Sequence, residues 1–212
     1  MSVPPTGWTE LTQESVTADG TMVPKDGGKY YLGGDIVLGA TQHITAGAAV
    51  TLCLNGHILN LQVQEPLYGI MEGSVICIDE KAVLNLCDCN STGKTRYGYW
   101  TDGAELYNRV YTIQPEVPSE DEHDILTGGI ITGGTGEADL VNESASGQGG
   151  GIYIDSYGSL NMTGGTVTGN YSAAGGDVKI FDAGVQISGG SFCSNLAEYT
   201  PESVLALQQF SS

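Results

Sequence analysis

The sequence predicts an all-β chain wound as a right-handed parallel β-helix, a solenoid with coils of about 25 residues. Three observations predict it. Gly fills 32 of 212 positions and only 15% of residues are charged, which suits short strands joined by tight turns better than helices. A motif of an apolar residue, Thr or Ser, and a Gly pair recurs at Leu126–Gly134, Met162–Asn170 and Ile187–Asn195, with starts 36 and 25 residues apart. Around the motif, apolar and polar residues alternate over a few positions, so each strand would bury one face and need neighbours to be stable.

The strands beside the motif repeat too. Gly151–Ile154 matches Asp177–Ile180 at an offset of 26, and Leu160–Met162 matches Val185–Ile187 at 25. At such a period Ile152, Ile154, Leu160, Met162 and Val167 would lie on Val178, Ile180, Val185, Ile187 and Phe192. The longer spacing of 36 is one coil plus an excess of 11 residues, placed in the polar stretch Thr135–Gly147. Earlier, Val50–Leu54 coincides with Ser74–Ile78 at an offset of 24, Leu84–Leu86 reads as the next strand of that coil, and Tyr31–Leu38 as an earlier rung. Gly pairs would supply the turns, because glycine reaches positive φ freely. The leucine-rich-repeat consensus and the Gly-rich Ca²⁺-binding repeat are both absent from the sequence.

These assignments divide the chain. Residues 1–27 form an N-terminal cap or linker, with Trp8, Leu11 and Val16 available to cover the end of the core. Residues 28–195 form the β-helix, interrupted by an insertion at 97–123. Residues 196–212, with the apolar run within Glu202–Leu207, form a C-terminal cap or tail.

Charge limits the partners. With 25 acidic and 7 basic residues the net charge is −18, so the chain lacks the basic face a nucleic acid needs, and an anionic membrane surface is disfavoured for the same reason. No apolar run approaches the roughly 18 residues that span a bilayer. The first residues do not read as a signal peptide, which leaves two readings, a cytosolic protein or a piece of a longer exported one. Pro4-Pro5 and the polar last five residues read as linkers, so the chain is expected to be part of a longer exported protein. Five Cys (Cys53, Cys77, Cys87, Cys89, Cys193) at irregular spacing do not make a disulfide framework and read as reduced thiols, although Cys53 and Cys77 would stack one coil apart.

Cys53–Ile58, Leu84–Cys89, Gly150–Ile154 and Met162–Asn170 resemble the repeat region of large surface proteins from gut Gram-positive bacteria, adhesin-like modules with a pectin-lyase-like β-helix. The resemblance covers residues 28–195 and breaks at 97–123. It implies an extracellular location, secreted or on the cell surface, and membership of a multidomain chain. Because pectin-lyase-like folds include polysaccharide lyases and glycoside hydrolases, it also requires a search for catalytic groups.

That search finds no convergent acid/base set. Asp155, Asp177, Lys179 and Asp182 sit near corresponding turns and read as solvated turn residues. His57 reads as a structural turn histidine. The best ligand-binding candidates are in the insertion: Tyr97, Tyr99, Trp100, Tyr107 and Tyr111, whose rings suit sugar faces, with Asp102, Glu105 and Asn108 for hydroxyls. The competing assignment packs these rings against the helix flank. The acidic group Glu116, Glu120, Asp121, Glu122 and Asp124, with His123, offers Asp121, Glu122 and Asp124 as metal ligands, Ca²⁺ being the cation such carboxylates favour; a solvated charge run is the ordinary alternative. Two functions follow. One is a non-catalytic adhesion or spacer module that contacts glycans or another host-surface ligand. The other is a carbohydrate-active enzyme, either a Ca²⁺-dependent polysaccharide lyase or a glycoside hydrolase.

Overall fold

The structure, a computed structural model, describes residues 6–22, 27–62, 73–101, 110–120, 122–135, 150–172, 176 and 178–197. Over these residues the chain is nearly all β, its sheets are mostly parallel, and the helical content is a single 3-10 turn at Gln13–Ser15. No helix among them is long and apolar enough to cross a membrane.

β1 (Thr9–Leu11) pairs in parallel with β2 (Gly28–Leu32). β3 (Ile36–Leu38) and β4 (Gln42–Ile44) complete a first set of strands. The second set is β5 (Ala49–Cys53), β6 (Ile58–Leu61) and β7 (Ile76–Ile78). β8 (Val83–Cys87) begins a third. It is interrupted by β9 (Thr95–Thr101), β10 (Val110–Gln114) and β11 (Asp124–Thr127), and resumes with β12 (Ile130–Thr132) and β13 (Ile152–Ile154). β14 (Ser159–Thr168), β15 (Tyr171–Ser172) and β16 (Val178–Ile180) form a fourth set, and β17 (Gly184–Cys193) and β18 (Leu196–Ala197) begin a fifth.

Each strand lies parallel to its counterpart in the set before, so three stacks build up. The first is β2, β5, β8 and the leading halves of β14 and β17. The second is β3, β6, β12 and the trailing halves of β14 and β17. The third is β4, β7, β13 and β16. Apolar columns run through them. Tyr30, Leu52, Leu86, Met162 and Ile187 are successive register partners in the first stack, as are Ile36, Leu59, Ile131, Val167 and Phe192 in the second and Ile44, Ile78, Ile154 and Ile180 in the third. Inward residues of all three stacks belong to one hydrophobic cluster. At the bottom of the third stack Gln42 occupies a core column. Its amide is satisfied there: Oε1 accepts from Met22 N–H at 2.8 Å and Nε2 donates to His43 O at 2.9 Å. Leu11 is buried in the core and Val16 packs against it.

The turns from the third stack to the first are alike. In Thr45–Ala48, Asp79–Ala82 and Asp155–Gly158 the fourth N–H donates to the first carbonyl at 2.8, 2.9 and 2.9 Å. The third residue has positive φ in each: Gly47 at 75°, Lys81 at 60° and Tyr157 at 58°. Only one of the three is the expected glycine; Lys81 and Tyr157 hold a conformation that costs about 1 kcal/mol for a residue with a Cβ. A stacked hydrogen bond accompanies each: Lys81 N–H donates to Ser156 O at 3.2 Å and Tyr157 N–H to Asp182 O at 2.9 Å. After β14 and β17, Asn170 and Asn195 form an amide ladder. Asn170 Nδ2 donates to Asn195 Oδ1 at 2.9 Å, and Asn195 Nδ2 to Val167 O at 2.8 Å.

The five register pairs expected in the C-terminal half, from Ile152 on Val178 to Val167 on Phe192, are present. Two alignments are corrected. Val50–Leu54 does not stack on Ser74–Ile78: β5 pairs with β8, placing Val50 beside Leu84, while β7 belongs to another stack and pairs with β4. The two segments share an apolar pattern because both bury one face, and that pattern does not say which stack a strand joins. Leu126 likewise does not lie over Met162, since Leu126 and Thr127 pair antiparallel with Arg96 and Thr95. Only the second half of that motif is in register, with Ile130 beside Thr166.

The reading of Cys53 as a reduced thiol stacked on Cys77 is corrected too. Its register partner is Cys87, and it forms a disulfide with Cys89 across a Cα–Cα distance of 6.3 Å. The rung spacing at this point is set by the β5–β8 pairing, which carries the end of β8 past Cys53. Closing a loop with a sequence separation of 36 stabilises by about 3–4 kcal/mol in the chain-entropy account. Cys77, Cys87 and Cys193 take no part in this disulfide. The polar excess beyond Thr135 and the C-terminal cap beyond Ala197 lie outside the described residues.

Neighbouring residues on β5 test the facing. Leu52 is fully buried whereas Thr51 points the other way and is half-buried. Leu52→Ala should cost about 2–5 kcal/mol in denaturant unfolding, and Thr51→Ala about 0.5 kcal/mol or less.

Candidate functional site

The insertion builds a sheet of its own. β10 and β11 flank β9, both antiparallel to it. Side chains on a strand alternate between two faces, and β9 shows this clearly. Arg96 and Gly98 are buried against the body, Trp100 follows on the same face, and Tyr97 and Tyr99 point the opposite way. Register partners share a face, so Tyr111 joins Trp100, and Asp124 joins Gly98.

The inward face is tied to the stacks at successive levels. The Arg96 guanidinium is buried. Its Nη1 donates to Gly128 O at 3.1 Å, and its Nη2 to Gly56 O at 3.1 Å and to Asp35 Oδ1 at 3.3 Å. Asp35 Oδ1 also accepts from Ile58 N–H at 2.9 Å and meets His57 Nδ1 at 3.3 Å, which places His57 in a structural ion cluster. Tyr111 lies on the backbone of the fourth set: a Cβ on Gly169 would come within 2.0 Å of its ring, so no other residue fits there. The Tyr111 hydroxyl donates to Asp124 Oδ2 and accepts from Thr168 Oγ1 at 3.2 Å. Trp100 packs against Tyr111 with ring centroids 5.1 Å apart and planes inclined by 59°, and its Nε1 donates to Ser194 O at 2.8 Å, beyond the end of β17. The sheet therefore grips the stacks from Asp35 in the first set to Ser194 in the fifth.

The outward face carries Tyr97, Tyr99, Thr112, Gln114 and Ile125. Tyr97 and Tyr99 are half-buried, and Ile125 is 69% exposed. Tyr97 meets the His123 ring edge-on, with centroids 5.6 Å apart. Of the expected aromatic set, Tyr97 and Tyr99 face out and Trp100 and Tyr111 face in. Asp102, Glu105, Tyr107 and Asn108 lie outside the described residues. Of the expected metal set, Asp121 lies outside the described residues, Glu122 is exposed, and Asp124 accepts the Tyr111 hydroxyl. Glu116 and Glu120 are exposed. Asp155 serves its own turn, Oδ1 accepting from Ser156 N–H at 2.7 Å, and Lys179 is the register partner of Tyr153. Asp177 is outside the described residues. Among the described residues, His, Cys and carboxylate ligand atoms gather within 4.8 Å of one another at Cys53, Cys87 and Cys89 and at His43, Cys77 and Asp79.

Two structural contributors carried little signal in the sequence. Arg96 looks like an ordinary surface cation beside the aromatic run. Asp88 is a lone acid in a Cys-x-Cys, yet its carboxylate accepts from Gly56 N–H at 2.8 Å and from Gly129 N–H at 2.7 Å, joining two levels. No protein-family model, curated protein or solved structure matches the chain.

Burial, reinforced by the hydrogen bond to the Asp124 carboxylate, pushes Tyr111 above the ordinary tyrosine range. The folded protein therefore keeps its phenolic proton after the unfolded chain, titrating near about pH 10, has lost it. The stabilisation is fully present below that pH and declines as pH rises above it. Urea unfolding between about pH 9 and 11 should show wild type losing stability more steeply than Tyr111→Phe.

Proposed function

We propose that the chain is a right-handed parallel β-helix module of a bacterial surface or secreted protein, without catalytic activity, that serves adhesion by presenting the outer face of its insertion sheet to glycans. Three stacks visited in the same order, set after set, support the solenoid reading. Crossovers joining parallel strands of one sheet run right-handed almost without exception, which supports the hand. The Cys53–Cys89 disulfide suits an oxidising compartment and so supports export.

The observation that carries the binding role is the division of the aromatic set. Trp100 and Tyr111 are consumed in holding the sheet to the body. Tyr97 and Tyr99 are not: they lie on the other face, two residues apart on one strand, beside Gln114 and Thr112. Flat rings flanked by an amide and a hydroxyl form a surface suited to a sugar, the rings taking the C–H face and the polar groups the hydroxyls. A rigid antiparallel sheet holds these groups better than a free loop would.

A glycan array should reveal a bound class. Tyr97→Ala and Tyr99→Ala should each weaken it about tenfold, the scale of an interface hot spot, while leaving the unfolding midpoint near wild type. Binding unchanged in the double variant would remove the insertion from the proposal. Incubation of the bound glycan with protein and Ca²⁺ should yield neither unsaturated uronates nor new reducing ends.

A further inference from the structure

The outward face of the third stack holds a second group of chemistry-bearing side chains, unconnected with the insertion sheet. Within β4, β7 and β13 the residues on either side of the central one point into the core: Gln42 and Ile44, Ile76 and Ile78, Ile152 and Ile154. The central residues point outward, and they are register partners: His43 beside Cys77, Cys77 beside Tyr153. Asp79 follows two residues after Cys77, just past the end of β7.

The three groups converge on one point. His43 Nδ1 donates to Asp79 Oδ1 at 2.8 Å, and Cys77 Sγ donates to the same oxygen at 3.3 Å. A nitrogen, a sulfur and a carboxylate oxygen thus lie within 4.8 Å of one another. Cys77 and Tyr153 point away from the core yet are 0% and 4% exposed, while the side chains of His43 and Asp79 are 30% and 23% exposed. The sulfur is therefore shielded, and the site opens towards solvent on the histidine and carboxylate side.

We propose that His43, Cys77 and Asp79 form a binding site for a borderline divalent cation of the zinc type. The donor set selects it. Ca²⁺ and Mg²⁺ take all-oxygen shells and have no use for a thiolate or an imidazole, whereas one N, one S and one carboxylate O are common ligands of Zn²⁺ and leave a fourth position for water. Binding replaces the two hydrogen bonds to Asp79 by metal bonds. The thiol proton leaves to solvent, and the imidazole loses its Nδ1 proton to solvent and takes one up at Nε2, which frees the Nδ1 lone pair for the metal. The thiolate and the carboxylate together neutralise the 2+ charge. The ligands come from strands of successive sets, so the metal would clamp β4 to β7 at a level where those strands are only three residues long.

Co²⁺, a spectroscopic stand-in for Zn²⁺, tests the site on the full chain. Titration should saturate at one equivalent with a thiolate-to-cobalt charge-transfer band in the near ultraviolet, and Zn²⁺ should abolish the band. The band should vanish in Cys77→Ser and in His43→Gln, and persist in Cys87→Ser, which controls for the thiol beside the Cys53–Cys89 disulfide. His43→Gln, at a partly exposed position, keeps the test valid should Cys77→Ser fail to give the wild-type circular dichroism. Absence of the band from wild type, or its survival in Cys77→Ser or His43→Gln, would overturn the proposal.

Discussion

Strands of three to five residues have no stability alone, and everything in this structure depends on each one finding a parallel partner in register. A slip of one residue would turn a strand's apolar side chains to solvent and its polar ones into the core. Continuous columns such as Tyr30, Leu52, Leu86, Met162 and Ile187 fix the register, because each member covers the one before it. The polar ladder on the opposite face runs through Lys29, Thr51, Asn85, Asn161 and Gln186, and there Asn161 Nδ2 donates to Asn85 Oδ1 at 3.0 Å. Burial and hydrogen bonding thus select the same register independently.

The insertion answers a weakness of that design. Stacked short strands contact only their neighbours in the stack, so cohesion along the stack is a chain of local links. The β9–β10–β11 sheet adds contacts that skip levels. Arg96 holds carbonyls of Gly56 and Gly128, Tyr111 packs on Gly169, and Trp100 reaches Ser194. A buried guanidinium with three acceptors tolerates few alternatives, because removing any partner leaves charge or donors unsatisfied. Trp100 and Tyr111 are spent on this bracing, and the alternation of the strand leaves Tyr97 and Tyr99 facing outward.

The legible part of the sequence was the part with uniform spacing. Between Ile152 and Phe192 the offsets of 25 and 26 give the pairings directly, since nothing intervenes to disturb the count. In the first half the spacing is uneven, 22 residues from Gly28 to Val50 but 34 from Val50 to Leu84 and from Ile44 to Ile78, and the apparent offset of 24 joined strands of two different stacks. All three stacks demand the same apolar alternation, so pattern matching alone cannot tell them apart. The insertion was legible as a break in the repeat and as an aromatic cluster, but the facing of each ring depended on antiparallel pairing with residues 110–114. The His43 site was hidden for a similar reason: its ligands come together only when β4 and β7 are paired at that longer spacing.

Distances along the polar ladder test the in-register stacking most directly. Spin labels at Lys29 paired in turn with labels at Asn85, Asn161 and Gln186 should give backbone separations that grow by about 4.8 Å per rung, reaching about 19 Å over the four rungs to Gln186. Separations that fail to increase in that order would contradict the stacking and with it the account of the core.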